Sequence, residues 1–375
     1  MKEPVLFLIL QGEARANGGL ESISQVMARL KHYRPIVLTN LETSFSHRWR
    51  EAGIEVHVVA EQASQGLLRN PAAILSTYRR YHRQVWTILQ ASGARIVHFN
   101  DPLAFQLGLL PAKLCGAALV LNLRDTLEPA RKPPRLRYRL IFAAADHVLY
   151  LSEDMAERWR GIAPNAASSF SVTYSIVDPE RFAPAPAGER DDPPVVLVPS
   201  IFWPKKGQLE FIRHAVPALA SRGIETWFAG DFEPATEPYA RKCAVAAAPF
   251  SGHVRFLGYQ AGMADLYARA AVIAVPSRHE GLMRGMIEAM SCGRAVVSFD
   301  VCSARELLEE KSRGAGEVVN QGNYAGMAEA LIRFAMDPLA RAAAGAAGVA
   351  AARELFDPDR VIERHERAYR HSRDR

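Results

Sequence analysis

With 375 residues the chain is long enough for two domains. Its 49% apolar and 23% charged residues are the balance of a globular protein, which excludes a fibrous or low-complexity chain. The net charge of +6 suits a polyanionic ligand or an anionic membrane surface, and is too mild to argue for nucleic acid.

Short apolar runs alternate with helical patterns along the chain, which predicts parallel α/β architecture. The first run, Val5–Leu10, is too short for a signal-peptide core or a transmembrane helix and reads as a buried strand. Further strands are predicted at 34–39, 55–59, 96–99, 118–123 and 147–151, with helices at 20–31, 72–90, 103–115 and 154–160 between them. From Asp178 to Pro194 proline, glycine and charge dominate, which marks an interdomain linker. The alternation then restarts, with strands at 195–198, 225–229, 254–257, 272–275 and 295–299. Helices are predicted at 208–221, 264–270 and 284–292. An alanine-rich helix at 339–355 and a charged helix opening at Asp357-Pro358 complete the chain. The expected domains are 1–180, a linker at 181–193, 194–356 and a last helix at 357–375. Cys115, Cys243, Cys292 and Cys302 form no C-x-x-C pair, so a zinc site or disulfide framework is not expected, and a reducing compartment is.

Open parallel sheets bind ligands beyond the carboxyl ends of their strands, so chemistry is sought in strand-to-helix loops. After the first strand, Gly18-Gly19 sits in the loop just before a predicted helix. The pair reads as a flexible turn or as a site where helix N–H groups meet an anion, and it is not the G-x-G-x-x-G dinucleotide fingerprint. Beyond residue 198, Ser200 leads to Lys205-Lys206-Gly207, a solvated turn or a phosphate site. Beyond Val275 the chain reads Pro276-Ser277-Arg278-His279-Glu280-Gly281-Leu282-Met283-Arg284, and Glu288 follows on the helix. Glu280 precedes the helix and can reach a ligand, while Gly281, Leu282 and Met283 set N–H groups where the helix dipole favours phosphate. Wholly helical, 280–288 spans roughly 12 Å, about the distance from a sugar past a diphosphate to a ribose. The plainer reading is a surface helix with a solvated acidic face.

Glu280 to Glu288 resembles the E-x(7)-E signature of family-4 retaining glycosyltransferases, also called glycosyl transferases group 1. Pro-Ser-x-x-Glu-Gly and Glu-Ala-Met-Ser-Cys-Gly around it match that family, and Arg284 is similar to the arginine of its Glu-Gly-x-x-Arg branch. Gly18-Gly19, Lys206-Gly207, Phe228-Ala229-Gly230-Asp231, Val254–Gly258 and Ser303–Leu307 resemble its other motifs. Three positions depart from the pattern. Ile201 stands where an arginine is frequent, with Lys205 nearby. Asn100 stands in place of a second histidine after His98, and Arg124-Asp125 in place of His-Asp. Asparagine hydrogen-bonds a sugar hydroxyl but cannot take its proton. His98 itself reads as a packed strand-end residue.

The resemblance implies a GT-B type fold: two Rossmann-like domains facing across a cleft, with the C-terminal helix crossing back to the first domain. It implies an acceptor in the N-terminal domain and a nucleotide-diphosphate sugar donor, base unspecified, in the C-terminal one. It further implies retention at the anomeric carbon, no metal ion and no cofactor. Glu280 would be catalytic, holding sugar hydroxyls and stabilising positive charge. Glu288 would grip ribose hydroxyls, Lys206 the diphosphate, and the leaving phosphate would take the acceptor proton. The implied acceptor is a glycan or lipid-linked hydroxyl in cell-surface glycan or lipopolysaccharide biosynthesis. The expected location is cytoplasmic, with peripheral contact at the inner face of a membrane. The basic segment Arg131–Arg139 reads either as a solvated loop and helix start or as a contact for anionic lipid or a phosphorylated acceptor. Two rivals stay open: a sugar-nucleotide epimerase of the same fold, which turns over donor without acceptor, and a non-catalytic nucleotide-sugar-binding subunit, which binds donor and transfers nothing.

Overall fold

The computed structural model describes residues 2–11, 18–59, 71–126, 135–163, 169–184 and 193–374. The chain divides into two compact units, Met1–Ile176 with Pro358–Arg375, and Val177–Asp357. The first therefore takes in the last helix, Pro358–Arg373. The division falls before the expected linker, because Val177–Phe182 packs with the second unit. Phe182 is buried edge-on against Tyr267, and Arg181 donates to the Ala261 carbonyl at 2.8 Å. Most of the proline-rich stretch, residues 185–192 with Asp191-Asp192, lies outside the described residues.

The first unit holds strands β1 (Glu3–Ile9), β2 (Tyr33–Thr39), β3 (Glu55–Val58), β4 (Ile96–Phe99), β5 (Ala118–Leu123), β6 (His147–Tyr150) and β7 (Ser169–Val172). Among the described residues they form one parallel sheet in the order β3-β2-β1-β4-β5-β6-β7. Crossovers in parallel sheets are right-handed, so connections running in opposite directions along the sheet put their helices on opposite faces. The helices Gly18–Arg29 and Ser44–Glu51 accordingly cover one face. The last helix joins them there, burying Val361, Ile362, Ala368 and Tyr369 against Phe7, Val120 and Leu149. The helices Pro71–Ser92, Pro102–Leu114, Arg135–Ala144 and Glu153–Ile162 belong to the other face.

The second unit repeats the plan with β8 (Val195–Pro199), β9 (Glu225–Ala229), β10 (Val254–Gly258), β11 (Val272–Val275), β12 (Ala295–Phe299) and β13 (Gly316–Val319). All pair in parallel, in the order β10-β9-β8-β11-β12-β13. β8, β9, β11 and β12 are buried along their whole length, as strands covered on both faces must be. The helix expected over 208–221 is two, Gln208–His214 and Val216–Ala220. Pro217 lacks an N–H, and its ring displaces the carbonyl of the preceding turn, so the ladder breaks at Ala215. In each sheet the chain order reverses once, between β1 and β4 and between β8 and β11. Beside the carboxyl ends of those strands lies the crevice where such sheets bind ligands.

Candidate functional site

In the second unit, the loops leaving β8 and β11 bring the predicted residues together at that reversal. Two glycines permit the approach. Gly207 adopts φ +74, and a Cβ there would stand 2.0 Å from the Pro276 carbonyl oxygen. At Gly285, on the helix Arg284–Ser291, a Cβ would press on Pro199 at 3.0 Å. The loops are also tied by backbone, Arg278 N–H donating to the Lys205 carbonyl at 2.8 Å. Gln208 is fully buried and fastens the start of the first loop, its amide donating to Ser200 Oγ at 2.9 Å and to the Ile201 carbonyl at 2.7 Å.

Across this junction Lys206 Nζ meets Glu280 Oε1 at 2.6 Å, with side chains only 14% and 7% exposed. A second pair lies one turn into the helix, where Arg284 Nε meets Glu288 Oε1 at 2.7 Å. The other oxygen of Glu288 accepts from the Tyr267 hydroxyl at 3.1 Å. Burial pushes the Glu288 carboxyl above its usual range, while Arg284, the Tyr267 hydroxyl and the charge of Arg181 pull it back. Burial, together with the Glu288 charge, raises the Tyr267 hydroxyl well above its ordinary value. Each charge is thus enclosed and met by an opposite one, the condition under which buried charges persist.

The stretch between the two glutamates is not wholly helical. Residues 280–283 are loop, and the helix begins at Arg284 with Met283 as N-cap. Met286 N–H closes back on the Met283 carbonyl at 3.1 Å. The N–H groups upstream of it therefore lie at the positive end of the helix dipole. Glu280, Gly281 and Met283 are buried, and Leu282 and Arg284 are half-buried. The loop is held from behind by Ser303, a buried residue at φ +69 whose hydroxyl donates to the Gly281 carbonyl at 3.1 Å. A non-glycine residue in that conformation is strained, and such strain persists only where its surroundings fix it.

Three of these participants escaped the sequence reading. Tyr267 follows no motif. Arg181 falls within the linker expected at 181–193. Ser303 belongs to a segment the resemblance marks, but only its backbone angle singles it out.

The remaining predicted residues stand in the first unit. Gly18 and Gly19 are the first two residues of the helix Gly18–Arg29 rather than the turn before it, and Gly12–Asn17 lie outside the described residues. Asn100 follows β4 and is buried, with its Oδ1 meeting no partner among the described residues; both side-chain heteroatoms of Asn122 on β5 are likewise buried and meet none among them. His98 is a packed strand-end residue, as expected: it is fully buried, and its Nδ1 is 2.9 Å from the Tyr369 hydroxyl of the last helix. Of the basic segment, Arg131–Pro134 lie outside the described residues, and Arg135 opens the helix Arg135–Ala144.

Comparison with known proteins matches residues 193–337 to the model described as Glycosyl transferases group 1, and residues 19–168 to the Glycosyl transferase 4-like domain. One relative is the GDP-mannose-dependent monoacylated alpha-(1-6)-phosphatidylinositol monomannoside mannosyltransferase of Corynebacterium glutamicum, 29% identical over 57% of this chain. That match spans 59% of the relative's own length. A second is the D-inositol 3-phosphate glycosyltransferase of Kribbella flavida, 26% identical over 79% of this chain and 76% of the relative. Among solved structures, Anabaena Alr3699/HepE in complex with UDP superposes with a TM-score of 0.77 at 20% identity, covering 98% of this chain and 99% of that one.

Proposed function

The chain belongs to the family-4 glycosyltransferases, glycosyl transferases group 1, and on that premise we propose that it moves a sugar, with retention and without a metal ion, from a nucleotide-diphosphate sugar to a glycan or lipid-linked hydroxyl. The observation that carries this reading is the enclosed Lys206–Glu280 pair at the chain reversal of the second sheet. A lysine ammonium has three donors. One holds Glu280, which leaves two for diphosphate oxygens.

In the reaction the bond from the anomeric carbon to the phosphate oxygen breaks, a bond from that carbon to the acceptor oxygen forms, and the acceptor proton passes to the leaving phosphate. Negative charge grows on the diphosphate, and fixed charges aimed at it lower the barrier. Lys206, Arg284 and the helix start supply them in this reading, with Lys205 beside them. Glu280 faces the sugar, where its charge opposes the positive charge of an oxocarbenium-like state. Glu288, already an acceptor for Arg284 and Tyr267, takes the ribose hydroxyls.

The C. glutamicum relative is named for GDP-mannose and the Anabaena neighbour holds UDP, so GDP- and UDP-sugars are the first donors to test. Mass spectrometry of donor panels in excess EDTA, with and without sugar and lipid-linked acceptors, reads the activity, and NMR of the product reads the anomer. Acceptor-dependent transfer with the donor's anomeric configuration is expected. Donor turnover to an epimerised sugar without acceptor, or an inverted product, would overturn the proposal.

A further inference from the structure

The helices Pro71–Ser92, Pro102–Leu114 and Arg135–Ala144 run to 22, 13 and 10 residues, and none contains an aspartate or glutamate. They carry seven cations: Arg79, Arg80, Arg83, Lys113, Arg135, Arg137 and Arg139. The whole chain has 46 Lys and Arg against 40 Asp and Glu; without these seven, 39 face 40. The entire basic excess therefore resides on three helices. Their crossovers put them on one face of the first sheet, where they are neighbours. Arg137 Nε donates to Gln106 Oε1 at 3.1 Å, joining the third helix to the second. A fourth helix on that face, Glu153–Ile162, carries Glu153, Asp154 and Glu157 and bounds the basic area.

The same three helices are unusually apolar on the outside. Fourteen large hydrophobic side chains are exposed among the described residues, and eight belong to them. Leu110, Leu114, Leu136 and Leu140 are each 60–69% exposed. On the first helix, Leu75, Tyr78, His82 and Trp86 follow one another at helical spacing, and the His82 and Trp86 rings lie parallel. A groove of about 430 Å³ opens between the first two helices, lined by Tyr78, Arg79, His82, Gln106 and Leu110. Large apolar groups exposed together on one face, rimmed by charge, mark a surface that meets a protein or a membrane.

We infer that this three-helix face docks on an anionic lipid bilayer. Clustered arginines draw it to negatively charged headgroups, and leucines and tryptophan enter the interface, as in helices that lie on a membrane. No helix among the described residues is long and apolar enough to cross one. A nucleic acid would meet the arginines but leave the leucines in water, so the bilayer is the occupant that uses both features. The surface is wider than the basic segment read from sequence, and its assignment stands without the transfer chemistry.

The test is flotation of the full chain with vesicles of phosphatidylcholine alone or with about a third phosphatidylglycerol, at low salt, without donor or acceptor. Binding to the anionic vesicles and little to the neutral ones is expected. Each arginine near such a surface contributes about fivefold, so the Arg79→Gln, Arg83→Gln, Arg139→Gln triple variant should bind roughly a hundredfold more weakly. The Leu110→Ser, Leu114→Ser, Leu136→Ser, Leu140→Ser variant should lose the binding that survives high salt. Melting temperatures verify that the variants fold, and the arginine variant alone decides if the leucine variant does not. Wild-type protein that ignores anionic vesicles, binds both kinds equally, or binds heparin or RNA in preference to vesicles would overturn the inference. Unchanged binding by the arginine variant would do the same.

Discussion

The two units share one architecture and differ at the point where each sheet reverses its chain order. In the second unit that point is charged. Lys206 pairs with Glu280 at the ends of β8 and β11, and Arg284 with Glu288 one turn away. In the first unit the described residues just beyond β1 and β4 include the neutral amides Gln11 and Asn100, and Asp101 after them is taken up in capping the helix Pro102–Leu114. Gln11 and Asn40 hydrogen-bond each other, Gln11 N–H to Asn40 Oδ1 at 2.7 Å and Asn40 Nδ2 to the Gln11 carbonyl at 2.9 Å. Asn100 and Asn122 follow with buried amide atoms that meet no partner among the described residues. Enclosed cations suit an anionic group such as a diphosphate. Amides both donate and accept, the chemistry of a sugar hydroxyl. One fold thus offers two kinds of crevice, set by a few residues at strand ends.

If the charged crevice carries the chemistry, the largest effect comes from Glu280→Gln. Removing a fixed charge that acts in the transition state should lower kcat about 100- to 1000-fold, while KM for the donor stays within a few fold. Steady-state kinetics settle this, and near-normal turnover would remove Glu280 from the mechanism. Next is Glu288→Ala. A charged acceptor for paired hydroxyls is worth about 1.5–3 kcal/mol, so affinity for free nucleoside diphosphate should fall roughly 10- to 150-fold. Unchanged affinity would leave Glu288 as the anchor of Arg284 and Tyr267 and nothing more.

The smallest effect lies in the first unit and separates the two by pH. Burial lowers His365 to about 4, with the Arg124 charge adding to this and the Val361 carbonyl and Glu366 opposing it. Burial lowers His98 as well, helped by His365 and Arg124. A histidine depressed by folding binds fewer protons in the native than in the unfolded state. Its contribution is therefore complete above about 6.5 and lost as pH falls toward about 4. Glu366 adds a carboxyl lowered in the same sense: burial raises it, but the His32 ring and the N–H groups of His32 and Lys31, at 2.9 and 2.7 Å, outweigh that. Thermal melts from pH 7 to pH 4 should show the first unit losing stability, and His365→Leu should flatten that slope. Equal slopes in wild type and variant would show that the last helix is not the acid-sensitive element.

What the sequence reveals depends on how far apart the cooperating residues lie. β9, β11 and β12 are legible to the residue because strands buried on both faces are continuous apolar runs. The helix Ser44–Glu51 is hidden. Its composition is polar, its two apolar residues, Phe45 and Trp49, turn inward, and its capping box pairs Thr43 with Ser46 instead of the usual glutamate. β7 buries too little to stand out, and Arg135–Ala144 is masked by its own arginines. At the site, Glu280, Glu288 and Lys206 are marked by local spacing. Their pairing is not, since 74 positions separate Lys206 from Glu280. Tyr267 and Ser303 reach the site only through the order of strands, which no local pattern encodes.

In the proposed reaction the second unit's own cations hold the diphosphate. Calorimetric titration of UDP and GDP into wild type and Lys206→Ala, each in excess EDTA and again with magnesium, tests it most directly. Whichever nucleotide binds wild type is expected to do so equally in EDTA and in magnesium, and Lys206→Ala is expected to weaken it roughly 10- to 150-fold. Binding that vanishes in EDTA, returns with magnesium and is indifferent to Lys206 would contradict it.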